Sequence, residues 1–353
     1  NPDGTVDPFL SCRGILMTKE SAGNTEILFA NPNPGDYGAI DRWSIPRSVP
    51  GAGSYGVTQS LVDAFFMENG LSPILGYENN DYSKPIINPA SGYTETGFST
   101  EPEVRNTGWQ ECQGNVNPGQ VTMAGAYNMY CHREARFYIA VLYNRAWFSK
   151  TAEGGRQTMF LKGEQDGGIS MDAPRNGYLQ NKLAHPDRDN VNVTFPYRPA
   201  VNYRLAEAYL NYAEALNECD PGNPDIMKYV NLIRVRAGIP EYGTGAGMIT
   251  EPQGQEEVRQ SIYKERRVEL CCESSIRYMD IRRLKIGEEI LNRDFYGMNY
   301  FGSKLSDDKN DPDAYFVRTR YQTRSFQKKN YWFPVPQSEM DINPNLVQNP
   351  FWK

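Results

Sequence analysis

The most regular hydrophobic pattern in the chain lies between residues 203 and 240. Apolar residues recur there at steps of three and four, which places them on one face of a helix. The first run ends at Asp220 and a following Pro-Gly pair, and the second ends at Gly238 and Pro240, residue types that stop helices. The pattern predicts two packed helices of the tetratricopeptide type. Their apolar faces comprise Leu205, Ala208, Tyr209, Tyr212, Ala213 and Leu216, then Ile226, Tyr229, Val230, Ile233 and Ala237.

Two further helices, over residues 255–273 and 276–292, are predicted as a second pair. The pattern is weaker upstream, where residues 1–60 are rich in proline and glycine and predict irregular surface structure. Thr58 is a candidate N-cap of a short helix, and the dense apolar run 136–143 predicts a strand. We therefore expect a loop-rich region over residues 1–196 and a helical region over residues 197–353, joined in one integrated domain.

Residues 70–133 show no sustained helical or strand periodicity. A compact domain seldom leaves so long a stretch unpatterned without a functional reason. The stretch is rich in aromatic residues beside turn-forming residues, and a flat ring near polar side chains suits the apolar face of a sugar. The candidate ligand-binding residues are Trp109, Tyr93, Tyr127, Tyr77 and Tyr82, with Phe98 and Tyr130 in the same stretch and with Trp147, Phe148, Trp43 and Tyr55 as further candidates outside it.

Trp109 is the leading candidate for ligand recognition because it is the only tryptophan in this stretch. It lies between Gly108 and Gln110, a flexible neighbour and a polar one. The alternative is that each ring has a structural role and packs its loop onto the helices. A recognition ring and a core ring differ in what truncation costs, namely ligand affinity in the first case and folding stability in the second.

Composition argues against several classes of function. The 353 residues suffice for a substantial core, and a net charge of -6 argues against nucleic acid, whose binders concentrate lysine and arginine. Six cysteines without C-x-x-C spacing and only two histidines do not support a zinc site or a disulfide framework. No run reaches the ~18 apolar residues of a membrane span. We expect no metal and no cofactor.

Two acidic clusters are candidates for a catalytic or a metal-binding site. Glu265, Glu269 and Glu273 recur every four residues among arginines, which favours an ion-pair network that holds two helices together over an acid and base pair. The acidic stretch 307–313 lacks the glycine and glutamate of a calcium loop at the required positions, and a solvated loop is the favoured interpretation.

An ordered series of segments carries a resemblance. These segments are YRLAEAYLNYAEALNE (203–218), VNLIRVRAGIP (230–240), IYKERRVEL (262–270), RYMDIRR (277–283), FPVPQSE (333–339) and NPNLVQNP (343–350). Together they resemble the SusD/RagB family of nutrient-binding outer-membrane lipoproteins of Bacteroidetes, in the C-terminal portion of the family fold. Two departures from the family pattern are Glu134 with Ala135, and Ser274 with Ser275.

The resemblance implies a mainly α fold with tetratricopeptide-type helix pairs, long loop-rich insertions and little β structure. It implies a non-enzymatic protein on the cell surface, bound to the outer membrane only through a lipid anchor. That anchor and the family's N-terminal helices are expected to be absent from this chain. The implied partners are a SusC-like TonB-dependent transporter and an oligosaccharide. A peptide ligand, as in the RagB branch, and a glycoside hydrolase are the alternatives.

Overall fold

The computed structural model describes the chain except for residues 1–3, 19, 32–36, 110–118, 152–153, 169–171, 190–191, 193, 195, 274 and 353. Helices account for 32% of the residues and strands for 16%, so the predicted mainly α class is confirmed. Over the described ranges, no helix combines the length and the apolar character that crossing a bilayer requires.

The helices are short except for three near the middle of the chain. Within the described residues they are α1 (Pro8–Gly14), α2 (Tyr37–Ser44), α3 (Gln59–Val62), α4 (Ala135–Ala140), α5 (Leu205–Cys219), α6 (Pro224–Ala237), α7 (Gly254–Glu269), α8 (Ile276–Arg283), α9 (Gly287–Leu291) and α10 (Gln337–Ile342).

The strands pair antiparallel in twos, and no larger sheet forms among the described residues. The pairs are β1 (Ile27–Asn31) with β10 (Ala200–Arg204), β2 (Ile74–Tyr77) with β3 (Pro85–Ile87), β4 (Glu103–Val104) with β5 (Gln120–Thr122), β6 (Val141–Leu142) with β9 (Leu179–Gln180), β7 (Trp147–Thr151) with β8 (Gly154–Gln157), and β11 (Asp294–Gly297) with β12 (Thr319–Thr323).

The predicted helix pair is confirmed as α5 and α6, with α7 packed on α5. Asn223 caps the start of α6 by accepting the backbone N–H of Asp225, and Gly238 ends it with a φ of 71°, a left-handed conformation that glycine adopts without strain. The buried faces of the three helices meet in one core. Its buried residues are Ala206, Leu210, Ala213, Ile226, Met227, Val230, Ile233, Val258, Ile262 and Leu270. The predicted face of α5 is corrected, because of its six residues only Ala213 is buried and Tyr212 is 47% exposed.

A second and larger core is dominated by aromatic rings from the loop-rich half. Tyr130 stacks on Tyr143 with ring centroids 4.3 Å apart, and Tyr127 stacks on Phe316 at 4.3 Å. Such ring pairs stabilise a fold beyond the area they bury. The loop-rich half is therefore built around aromatic packing and needs little regular secondary structure.

Three local predictions are corrected. The apolar run that predicted a strand forms α4, followed only by the two-residue strand β6. Residues 1–60 are not merely irregular, because α1 buries Phe9 and packs against α4 and α6. The predicted helix over 276–292 is interrupted at Lys285, which has a φ of 56°, so α8 and α9 are separate.

A buried network of five carboxylates and five cations joins the two cores. Its centre is Glu269 at the end of α7, which pairs with Arg136 of α4, with Arg204 at the end of β10 and with Arg236 of α6. The remaining members are Glu26, Glu134, Glu265, Glu273, Lys182 and Arg234. The predicted ion-pair role of the glutamates is confirmed. Their partners were wrongly expected to be the neighbouring arginines and come instead from distant segments.

The electrostatics of Glu269 show how tightly the network is coupled. Burial raises the pKa of this carboxyl, but Arg236, Arg204, Arg136 and Lys182 outweigh burial and hold the pKa well below its ordinary value of 4.5. Glu273 behaves in the same way, because Arg204 and Lys182 overcome the effect of burial and lower its pKa. Both groups are therefore charged in the folded protein near neutral pH.

We expect Glu269→Gln to lower the free energy of unfolding by roughly 3–5 kcal/mol, because it leaves buried cations without their shared carboxylate. Chemical denaturation measures the change. Glu256→Gln is the matched control, since Glu256 is on the same helix and is exposed to solvent, where ion pairs contribute little. Equal stability of the two variants would contradict a structural role for the network.

The same carboxyl predicts a pH dependence. A group with a depressed folded pKa stabilises the fold above its unfolded pKa, and that stabilisation is lost as the pH falls through the folded value. The stability difference between the parent chain and Glu269→Gln should therefore be full above about pH 5 and shrink below it. Denaturation curves of both proteins between about pH 7 and pH 3 test this, and a constant difference over that range would refute it.

Candidate ligand-binding surface

Four of the seven rings in the 70–133 stretch lie inside the aromatic core. Tyr93, Trp109, Tyr127 and Tyr130 are at most 6% exposed. We correct the expectation that Trp109, Tyr93 and Tyr127 are open to a ligand. The loops of this stretch lie over the core, and their rings fill it. These rings are therefore buried although the sequence around them shows no helical or strand periodicity.

Trp109 shows the correction most clearly. Its ring stacks on Phe9 of α1 with centroids 5.4 Å apart, and its backbone N–H donates to the Thr107 hydroxyl. The Thr107 hydroxyl in turn donates to Asp7, the N-cap of α1. Trp109 therefore ties the loop to α1 as a core side chain.

The other three rings of the stretch, Tyr77, Tyr82 and Phe98, are half-buried, and so is the further candidate Trp147 outside it. Tyr77 and Tyr82 are half-buried and lie against each other at 4.6 Å, and the Tyr77 hydroxyl donates to Asp63. The guanidinium of Arg293 lies 4.6 Å from the ring centre of Tyr82. Trp147 is half-buried at the start of β7. The structure does not bring Trp147 together with the tyrosine pair, and ligand binding by these rings stays a prediction.

Trp43 and Tyr55 form an exposed aromatic pair. Trp43 is 41% exposed and Tyr55 is 39% exposed, and their rings meet edge to face at 5.2 Å. The Trp43 carbonyl accepts the backbone N–H groups of Ser54 and Tyr55 at 2.9 and 3.0 Å, which fixes the loop to the end of α2. The pair is thus a preformed surface with apolar ring area facing solvent.

A cavity of about 570 Å³ lies beside this pair and includes Tyr55 in its wall. Its size is within the range typical of small-molecule sites. Apolar residues form much of the wall, and Ser54, Gln180 and Asn202 supply polar groups. Rings at the rim and hydrogen-bonding groups inside are the combination that a sugar requires.

Close packing holds the loop 51–56 in place. Gln180 donates its backbone N–H to the Tyr55 carbonyl at 2.7 Å, and the Asn176 side chain donates to the Val57 carbonyl at 2.7 Å. A Cβ on Gly56 would lie 2.6 Å from the Asn176 side chain, which is closer than real Cβ contacts. Glycine at this position allows the loop to approach Asn176, and the rim of the cavity is therefore rigid.

The charged groups of this cavity are already paired. Arg198 donates to both oxygens of Asp41 at 2.9 and 3.0 Å, and Asp41 belongs to α2, the helix that carries Trp43. Glu273 is held by Lys182 and Arg204, and it is the one carboxylate among the described residues of the wall. The described wall of this cavity therefore offers no pair of opposed acids.

One group with metal-ligating atoms occurs in the described part of the chain. Glu68, Glu103 and His132 have ligand atoms within 4.8 Å of one another. Arg105 forms ion pairs with both carboxylates and already supplies positive charge there. We assign this group to an ion-pair cluster. In the acidic stretch 307–313, Asp311 and Asp313 form ion pairs with Lys304, which precedes the stretch.

From the sequence, Trp43 and Tyr55 are second-rank candidates, below the rings that the structure shows to be buried. Trp43 lies near the end of α2 and Tyr55 lies in a glycine-rich loop, and nothing in their local sequence pattern shows that they meet. The usable signal was the run of glycines at 51, 53 and 56, which allows close backbone approach. Both rings lie outside the unpatterned stretch 70–133, in which the binding site was expected.

The comparisons with known proteins identify the fold class and the family. The model of the SusD family matches residues 22–352. SusD-like protein P2 of Formosa agariphila is 33% identical over 146 residues, which cover 41% of this chain and 24% of that protein. The crystal structure of a SusD-like protein from Bacteroides fragilis is 26% identical with a TM-score of 0.66, and the match covers 98% of this chain and 58% of that one.

A second structure from Bacteroides fragilis, of a SusD-like carbohydrate-binding protein, is 20% identical with a TM-score of 0.66, again over 98% of this chain and 58% of that one. At that identity the likeness shows the fold. Because the family match covers nearly the whole sequence, this chain belongs to the SusD family. The chain spans little more than half the length of these two structures.

We expect Trp109→Ala to lower the free energy of unfolding by about 3–5 kcal/mol, the usual cost of truncating a buried tryptophan. Thermal and chemical denaturation measure this loss. Trp332→Ala is the control, because Trp332 is 38% exposed and should change stability far less. A Trp109 variant as stable as the parent chain would place this ring outside the core.

Proposed function

We propose that this chain binds an oligosaccharide at the bacterial cell surface, with the Trp43 and Tyr55 rings and the adjoining cavity as the contact surface. The observation that carries the proposal is the exposed ring pair, of which Tyr55 lines a cavity of about 570 Å³ and Trp43 contacts Tyr55. Aromatic faces stack on the C–H surface of sugar rings, while the exposed Ser54 and Asn202 can exchange hydrogen bonds with hydroxyls.

The cavity favours binding over hydrolysis. A glycoside hydrolase requires two carboxylates on opposite sides of the scissile bond, one of them able to donate a proton. Glu273 is a poor proton donor because Arg204 and Lys182, acting against the effect of burial, lower its pKa. Membership of the SusD family and the description of a structural relative as a carbohydrate-binding protein support the same conclusion.

The proposed setting is the outer face of the outer membrane, to which a lipid anchor of the full protein would hold it. The bound glycan would pass to a SusC-like TonB-dependent transporter. Family membership supports this setting. Co-purification of a transporter of that class with the full protein from its native membrane would test the partnership, and its absence from gently solubilised membranes would count against it.

Trp43→Ala and Tyr55→Ala should each weaken glycan binding by about 1–3 kcal/mol, the loss expected for a ring at the centre of a recognition surface. A glycan array selects the ligand and calorimetry measures the affinity. Folding stability should stay near that of the parent chain, because both rings are partly exposed. Trp332→Ala is the matched control for an exposed tryptophan away from the cavity.

The outcomes separate the candidate functions. Binding of peptides and of no glycan on a mixed array would replace the proposal with the peptide alternative. Release of reducing ends from a bound glycan would overturn the binding-only interpretation. Unchanged glycan affinity in both ring variants would move the site away from this cavity.

A further inference from the structure

A second cavity lies on the other side of the loop that forms the rim of the first one. It measures about 470 Å³, and Ser54 and Gly56 belong to the walls of both cavities. The far wall comes from residues 173–176 and from the end of β12 with Arg324 just beyond it. A ligand of several units that rests on Tyr55 can therefore extend across Ser54 into the second cavity.

Two arginines, Arg175 and Arg324, line this second cavity, and its described wall contains no carboxylate. Arg175 is exposed and Arg324 is half-buried. Neither guanidinium has a carboxylate partner in the described ranges of the chain. In contrast, Arg198 in the first cavity is paired with Asp41. The described part of this cavity therefore carries positive charge that no carboxylate neutralises, in a chain whose net charge is -6.

Neutral neighbours fix the orientation of the Arg324 guanidinium. Its guanidinium lies 4.1 Å from the ring centre of Phe295, and its Nε donates to the Gln322 side chain at 2.9 Å. Stacking on a ring and one neutral hydrogen bond orient the group without neutralising its charge. The guanidinium also hydrogen-bonds the neutral Tyr321 hydroxyl, and its charge and remaining N–H groups stay available to an acceptor.

An arginine with free terminal N–H groups binds planar or tetrahedral oxyanions through paired, charge-assisted hydrogen bonds. A concave wall strengthens this attraction because it excludes part of the screening water. Asn176, Tyr321 and Gln322 line the same cavity and add neutral hydrogen-bonding groups. The cavity suits an anionic substituent on a larger polar molecule.

We propose that Arg175 and Arg324 form an anion subsite, so that the glycan bound here carries acidic groups, either the carboxylate of a uronic acid or a sulfate ester. This inference rests on the proposed function and specifies the class of glycan. One sugar ring packs on Trp43 and Tyr55, and an acidic group further along the chain reaches the two arginines across Ser54.

The test uses matched pairs of oligosaccharides that differ only in charge. Oligogalacturonides are compared with their methyl esters, and sulfated carrageenan oligosaccharides with their desulfated forms. The parent chain should bind the acidic member of at least one pair tenfold or more tightly than its neutral member. This preference should fall as salt is added, since screening weakens exposed charge interactions. The pair that shows the preference identifies carboxylate or sulfate as the recognised group.

Arg175→Gln and Arg324→Gln should each reduce affinity for the acidic glycan about tenfold, and the double variant should bind both members of the pair equally. Affinity for the neutral member should not change. Arg259→Gln is the charge-matched control, because Arg259 lies on α7 and does not line the cavity. Unchanged melting temperatures of the variants show that the fold is retained.

Equal binding of acidic and neutral members by the parent chain, or a preference that survives in the double variant, would overturn the anion subsite. The proposed function would still stand if Trp43→Ala weakened binding of the neutral glycans. Failure of the parent chain to bind any acidic or neutral carbohydrate would overturn both proposals.

Discussion

The buried ion-pair network around Glu269 is the interaction on which the rest of the structure depends. This carboxylate at the end of α7 contacts cations from α4, α6 and β10, and these elements belong to both cores. Buried charges are costly unless each has partners with good geometry. Any shift of one element would leave a charge unpaired, so the network specifies how the helical layer and the loop-rich half meet.

The network also positions the proposed binding surface. Glu273 and Cys272 follow α7 and form part of the first cavity wall. Arg204, a partner of Glu273, ends β10, and the first three residues of that strand line the same wall. On the opposite side, Arg198 and Asp41 fix α2 and with it Trp43. The exposed rings are therefore supported by buried charge pairs, and a preformed surface loses less entropy on binding.

In the proposed binding mode, the two cavities recognise different parts of one ligand. In the first, the described charged side chains are neutralised by partners, and the rings provide apolar contact area. In the second, Arg175 and Arg324 keep their charge and the described wall has no acid. The close approach of Gly56 to Asn176 keeps the wall between the cavities thin, which allows one extended ligand to use both.

Sequence alone determined the helix pair α5 and α6, the family segments and the structural role of Glu269, because periodicity, helix stops and ordered motifs are local properties. Tertiary structure decided the rest. Arg136 and Arg204 are 133 and 65 positions from Glu269, and no local rule selects them. Tertiary structure also decided the burial of Trp109 and the exposure of Trp43, because the accessibility of a ring depends on which distant segments pack over it.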